Sequence, residues 1–261
     1  MASIPTAPHP RLSWFRASWP RLRKYLLIAL VVIPVASAGI ASIVGYRYYT
    51  RIAGELNSPG QALSAVANYG GAQIYDRNGD LLYRYPNATG GIQLPVRLGD
   101  VSPEMIAATV STEDESYWTN PGIDVSSMLH AALDNFREQG GPLKGRGGSG
   151  ITQQLVKLTL IPADERYNQS LERKLREAIY AVEINRRYSK TQILEWYLNV
   201  VNYGGLYDGV ESAAQGYFGV HAKDLNLAQS AMLAGIPQSP WLKSPYLHPD
   251  TPPGGNRPSS I

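Results

Sequence analysis

Residues 108–118 read ATVSTEDESYW, with three consecutive acids, Glu113, Asp114 and Glu115, between a small-apolar run and two aromatics. By composition alone this is a solvated helix end carrying ordinary surface acids. The residues just before it mark a helix start. Ser102 is a capping residue, Pro103 fits the first helical position and Glu104 puts an acid in the first turn.

Outward toward the N-terminus, AQIYDRNGDLLYRY (72–85) predicts a β-hairpin. Asn78-Gly79 would form a two-residue turn between Ile74-Tyr75 and Leu81-Leu82-Tyr83. Residues 47–70 show no clear period and read as a stalk. From Leu26 to Tyr46 the sequence LLIALVVIPVASAGIASIVGY carries no charge. A helix needs about 20 such residues to cross a bilayer. Arg11, Arg16, Arg21, Arg23 and Lys24 precede it, and only Arg47 and Arg51 follow closely. The positive-inside rule places residues 1–24, a basic tail, in the cytoplasm and everything after residue 46 outside. Ala36-Ser37-Ala38 fits a signal-peptidase site, but the apolar run continues past it, which favours an uncleaved anchor over 25–46.

Outward toward the C-terminus the pattern is helical. Asp124 caps a helix to about Glu138, and the Gly-rich loop GGPLKGRGGSG leads into ITQQLVKLTL. Ser170 opens a helix to about Arg187. Ser189 and Gln192 form a capping box above an apolar stripe of Ile193, Trp196, Tyr197 and Val200. Asn226 and Gln229 form another before AMLAG. Residues 248–261 are a Pro-rich linker. The expected fold is mainly α, with a globular part over 101–247 and 47–100 serving as stalk and hairpin.

Composition narrows the function. Net charge is +3, too small to argue for nucleic acid, and the absence of cysteine removes disulfides and thiolate metal sites. His130, His221 and His248 have no ligand spacing. A Gly-rich turn entering a helix exposes N–H groups at its positive end, a common anion site. Ser149 is placed to cap that helix or touch a phosphate. In RKLRE, Arg173 and Lys174 lie four and three residues before Glu177, on one helix face. Read alone, that is a routine surface ion-pair cluster.

The stretches STEDESYWTNPG, GGSGITQQLVK, RKLRE and KTQILEWYLN occur in that order, followed by GVESAAQGYFG and LAQSAMLAGIPQSP. Together they resemble the motifs of the peptidoglycan glycosyltransferases, glycosyltransferase family 51, found as monofunctional enzymes and as the N-terminal module of class A penicillin-binding proteins. The likeness covers about residues 72–247. This chain departs from the family pattern at Tyr117 (Phe in the family), Asn120 (His), Gly150 (Thr), Leu158 (Asn) and Gln229 (Glu).

The resemblance implies a lysozyme-like, two-lobed α fold that polymerises lipid II with inversion and releases polyprenyl diphosphate. Glu113 matches the general base that accepts the proton of the acceptor's 4-hydroxyl, with its pKa raised by partial burial. Asp114 would organise the loop or help hold substrate, and Glu115 would stay a solvated acid. Glu177 is the second carboxylate of the reaction, ordering Arg173 and Lys174 toward the diphosphate or helping to hold Mg²⁺ or Mn²⁺. Thr152, Gln153 and Gln154 would supply neutral donors to sugar or diphosphate, and Lys157 a further charge. Loop 139–149, with Lys144 and Arg146, would cover the site as a flap. KTQILEWYLN reads as structural: Glu195 anchors a polar contact, and Trp196 and Tyr197 pack. No organic cofactor is implied. The implied partners are lipid II, the nascent glycan, the lipid bilayer and cell-wall synthesis proteins. Trp118, Leu129 and Leu133 are expected to meet the bilayer surface. No Ser-x-x-Lys, Ser-x-Asn or Lys-Thr-Gly set is present, and the Pro-rich end looks like the place where a transpeptidase domain would begin. A lysozyme-like glycan hydrolase and a non-catalytic envelope scaffold remain open as alternatives.

Overall fold

A computed structural model describes residues 13–56, 58–87, 90–126, 128–130, 148–168 and 170–243. The chain divides into two compact units, Met1–Arg51 and Ile52–Ile261. Helix α1 (Ser13–Glu55) supplies all that is described of the first unit. Its span Arg23–Glu55 has a window of mean hydropathy 2.6, none of it buried, and is long and apolar enough to cross a membrane.

Residues 47–70 are not an unpatterned stalk. Helix α1 continues to Glu55 and is followed by α2 (Pro59–Ala67). Ile52, Leu56, Leu63 and Ala67 are all buried. This stretch escaped the sequence reading because its apolar residues are sparse; buried partners fix it, not local amphipathicity. The Gln93 side-chain amide donates to the carbonyls of Val66 and Asn199, at 2.9 and 2.8 Å, joining the end of α2 to the core.

Strands β1 (Gln73–Tyr75) and β2 (Leu81–Arg84) form the expected antiparallel hairpin. The turn is longer than two residues, because only Gly79 has positive φ and Asn78 does not. Asp76 organises it instead: Oδ1 accepts from the N–H groups of Asn78 and Asp80 at 2.7 and 2.8 Å. A parallel pair, β3 (Ile92–Gln93) and β4 (Tyr207–Asp208), lay outside the sequence expectation, two residues being too few for a periodic signal.

The rest of the second unit is helical. Helix α3 (Pro103–Glu113) is capped by Ser102, whose Oγ accepts from Met105 N–H. Helical conformation begins after Asp124 at Val125 and is seen again at 128–130; residues 131–138 of the expected helix lie outside the described residues, as does flap segment 139–147. Then follow α4 (Ile151–Thr159), α5 (Leu171–Arg187, capped by Ser170), α6 (Lys190–Val200, capped by Ser189), α7 (Val210–Phe218) and α8 (Leu227–Gly235). The expected box is complete at Asn226/Gln229. At Ser189 only the half donated by Gln192 N–H forms, and the serine hydroxyl instead meets Thr191.

Helix α6 is the buried axis. Ile193, Leu194, Trp196, Tyr197 and Leu198 are all at most 3% exposed, so burial runs round the helix rather than along one stripe. A helix apolar on all sides belongs inside a core. Helix α4 packs on both α5 and α6, and α3 packs along α8. Ile151 and Leu155 of α4, Ile184 of α5 and Met105 of α3 complete the interior. The first turn of α4 thus has a rigid backing and is set against the end of α3.

Candidate active site

Glu113 is the last residue of α3. The amide of Gln154, in the first turn of α4, donates from Nε2 to Glu113 Oε2 at 2.6 Å. The other oxygen, Oε1, is buried and accepts no hydrogen bond. Burial pushes the Glu113 carboxyl above the usual carboxylate range, opposed by the Gln154 hydrogen bond and the charge of Lys243. A carboxylate held above its ordinary range is a better proton acceptor near neutral pH.

Tyr197 stands behind this pair. Its hydroxyl donates to Gln154 Oε1 at 3.2 Å. Complete burial raises the Tyr197 pKa well above that of a free phenol, so the hydroxyl keeps the proton it donates to Gln154. An ionised carboxylate can only accept, so Gln154 turns its N–H toward Glu113 and its oxygen toward Tyr197. Tyr203, also fully buried, is raised in the same sense by burial and by the Glu113 charge.

Asp114 follows at the C-cap of α3. It is 8% exposed, and both oxygens are committed to the protein. Oδ2 accepts from Ile151 N–H at 3.1 Å; Oδ1 accepts from Asn120 Nδ2 at 2.9 Å and from Ser116 Oγ at 3.2 Å. Of the two roles expected of Asp114, these contacts support the organising of the loop. Glu115 is exposed, as expected.

A second centre lies on α5. Glu177 is 1% exposed, against the surface pair implied by spacing alone. Its Oε2 accepts from Arg173 Nη1 at 2.7 Å and its Oε1 from Lys174 Nζ at 2.5 Å. The same Lys174 ammonium donates to Ser149 Oγ at 2.5 Å. Ser149 is thus neither cap nor free hydroxyl; Gly150 holds the N-cap position. Lys157 lies one turn along α4, its ammonium 4.7 Å from the centre of the Tyr167 ring. Burial lowers the Lys157 pKa; the Glu177 carboxylate opposes this, and Arg173, Lys174 and Arg166 reinforce it. Cations thus outnumber the carboxylate in this cluster, leaving positive charge for an anion.

Thr152 and Gln153, expected to meet sugar or diphosphate, are fully buried. Thr152 Oγ1 accepts from Asn185 Nδ2 at 2.8 Å. Gln153 accepts from Gly150 N–H at 3.3 Å and points its Nε2 to within 3.5 Å of Glu177 Oε1. Consecutive glutamines on α4 therefore address the two carboxylates, Gln153 toward Glu177 and Gln154 toward Glu113. Ser149 adds a second link, its carbonyl accepting from Gln154 Nε2 at 3.2 Å while its hydroxyl takes Lys174.

The residues around Glu177 do not fit a divalent cation. Two ammonium or guanidinium donors already hold both carboxylate oxygens, and any metal would have to displace one of them. Among the described residues no group of three or more His, Asp or Glu could hold a metal ion. Glu195, as expected, anchors a polar contact by accepting from Leu98 N–H at 2.8 Å. Trp118 and Leu129 are 48% and 58% exposed, whereas Leu133 lies outside the described residues.

The sequence reading missed Tyr197 as part of the site, because a tyrosine inside an apolar stripe reads as packing. It also missed Lys243, which follows the last recognisable motif, and Asn185, which nothing local marks.

The profile of the transglycosylase family matches residues 79–253. Penicillin-binding protein 1A of Streptococcus oralis is 32% identical over 88% of this chain and 34% of its own length. Penicillin-binding protein 1A of Aquifex aeolicus is 38% identical over 69% of this chain and 23% of its own. Penicillin-binding protein 2D of Bacillus subtilis is 39% identical over 59% and 21%. The chain spans about a third or less of the length of these relatives. The family profile covers well over half of the chain, and it takes in both carboxylate centres and the helix that bridges them. The chain belongs to the transglycosylase family, the peptidoglycan glycosyltransferases whose motifs its sequence resembles.

Proposed function

We propose that this chain polymerises lipid II into β-1,4 glycan strands. The acceptor's 4-hydroxyl oxygen attacks the anomeric carbon of the lipid-linked donor, the bond from that carbon to the diphosphate oxygen breaks, and configuration inverts. Glu113 takes the hydroxyl proton, and the electron pair leaves on polyprenyl diphosphate. Arg173, Lys174 and Lys157 offset the charge that grows on the leaving diphosphate, while Glu177 holds the first two in place. The observation that carries this reading is the pairing of Gln153 and Gln154, which fixes a desolvated base and a buried cationic cluster to one helix turn. Helix α1 would anchor the chain with its basic end in the cytoplasm and the catalytic unit outside, where a lipid-tailed substrate is presented. The longer relatives suit a further domain, such as a transpeptidase, beyond the C-terminal segment.

Hydrolysis of glycan is the weaker reading, because cleaving a neutral glycosidic bond has no use for a cluster of cations. The full chain in detergent, incubated separately with purified lipid II and with preformed glycan, separates the two. Polymer from lipid II and no fragments from glycan are expected. Fragments from glycan without polymer from lipid II would overturn the proposal.

A further inference from the structure

Two of the places where this chain departs from its family, Asn120 and Gly150, meet on one carboxylate. Gly150 opens α4 with φ −72 and ψ 176, the extended backbone of an N-cap, but brings no side chain to accept an N–H. A Cβ there would lie 2.2 Å from Asp114 Oδ2. Into that space Asp114 extends to accept from Ile151 N–H. Asn120 holds the far oxygen of the same carboxylate, and is itself held by the Lys190 ammonium at 3.0 Å and Gly122 N–H at 2.9 Å. The Asn120 side chain is a fixed amide between an acid on one side and donors on the other.

We propose that Asp114 is a positioning residue: it caps α4 from across the loop by accepting from the first helical N–H, that of Ile151, and Asn120 secures it. A negative group at a helix N-terminus satisfies an orphan donor and meets the positive end of the helix dipole. The consequence is geometric. The turn so docked carries Gln153 and Gln154, and these are the links to Glu177 and Glu113. Asp114 adjoins Glu113 in sequence, so one carboxylate fixes the distance between the base and the helix that steers it. This inference rests on the glycosyl-transfer reading above.

The test is rescue. Asp114→Ala leaves the α4 terminus uncapped, and kcat for lipid II polymerisation should fall about 10- to 100-fold through misplacement of the site. Asp114→Ala combined with Gly150→Thr places in the vacated space a hydroxyl that can accept from the second or third helical N–H, of Thr152 or Gln153, and so gives the turn a cap again. The double variant should regain at least about fivefold over the single one, the worth of a typical cap. Hydrogen exchange supplies a readout independent of turnover: amides 151–154 should exchange faster in Asp114→Ala, and amides 152–154 should slow again in the double variant. Full activity in Asp114→Ala, or a double variant no faster and no better protected than the single, would overturn the inference while leaving glycosyl transfer standing. Wild-type chain that makes no polymer would overturn the glycosyl-transfer reading, and the exchange pattern would still decide the cap.

Discussion

Gln154 Nε2 lies 2.6 Å from Glu113 Oε2. This hydrogen bond stabilises the ionised form of a carboxylate that burial otherwise disfavours. Replacing Gln154 by Leu removes that support, and the Glu113 pKa should rise further. As the proposed base Glu113 acts in its ionised form, so activity should be lost as pH falls through its pKa. The acid limb of the kcat/KM profile is expected above the usual carboxylate range in the wild type, and at still higher pH in Gln154→Leu. Superimposable limbs would detach Gln154 from the base.

Tyr197→Phe removes one hydroxyl and keeps the ring that packs α6. Gln154 loses the donor that holds its amide oxygen. The expected result is a shift of the acid limb in the same direction as Gln154→Leu but smaller, with the fold retained by circular dichroism. In the Gln154→Leu background the tyrosine change should add little, since the two act through one contact.

Glu113 also imposes a cost on the fold. Its folded-state pKa lies above its unfolded value, so the ionised form is worse off in the native state. Stability is therefore lost as pH rises from the unfolded pKa through the folded one. Glu113→Gln should raise the unfolding temperature at pH 7, and the gain should vanish below pH about 4, where the carboxyl is protonated in both states.

Glu177→Ala leaves Arg173 and Lys174 partly buried beside one another without their counter-charge. Breaking a buried ionic cluster from one side costs about 3 kcal/mol or more. A fall in urea midpoint at unchanged slope, together with loss of turnover, is the expected outcome. Lys174→Met should instead retain most of the stability and lose kcat.

The departure at Tyr117 has a local explanation. It is fully buried, its hydroxyl donates to the Lys190 carbonyl at 2.5 Å, and the Lys190 ammonium sits 4.6 Å from the centre of its ring. Tyr117→Phe, the family residue, should destabilise the chain by about 1 kcal/mol without altering turnover. A thermal melt alongside the polymerisation rate checks both halves.

Much of this architecture was legible in the residues. Ser102-Pro103, Ser170, Ser189 and Asn226 each open the helix their capping chemistry indicates. Glu113, Arg173, Lys174 and Glu177 could be picked out because motif spacing survives in sequence. What spacing cannot carry is burial. Thr152 and Gln153 look like donors for a sugar, yet both face the interior, since consecutive residues on a helix point about 100° apart and only Gln154 reaches the Glu113 side. Asp114 looks like a second acid and is a cap, because its partner Ile151 lies 37 residues away. The packing of 52–67 and the two-residue β3–β4 pair depend on distant partners, which no local pattern records.

Glu113→Gln compared with the wild-type chain on purified lipid II addresses the base most directly. Carboxamide replaces carboxylate with little change of shape, so lipid II binding should persist while the polymerisation rate falls by a factor on the order of 10² to 10⁴. A Glu113→Gln chain that extends glycan at the wild-type rate would contradict the assignment of Glu113 as the proton acceptor.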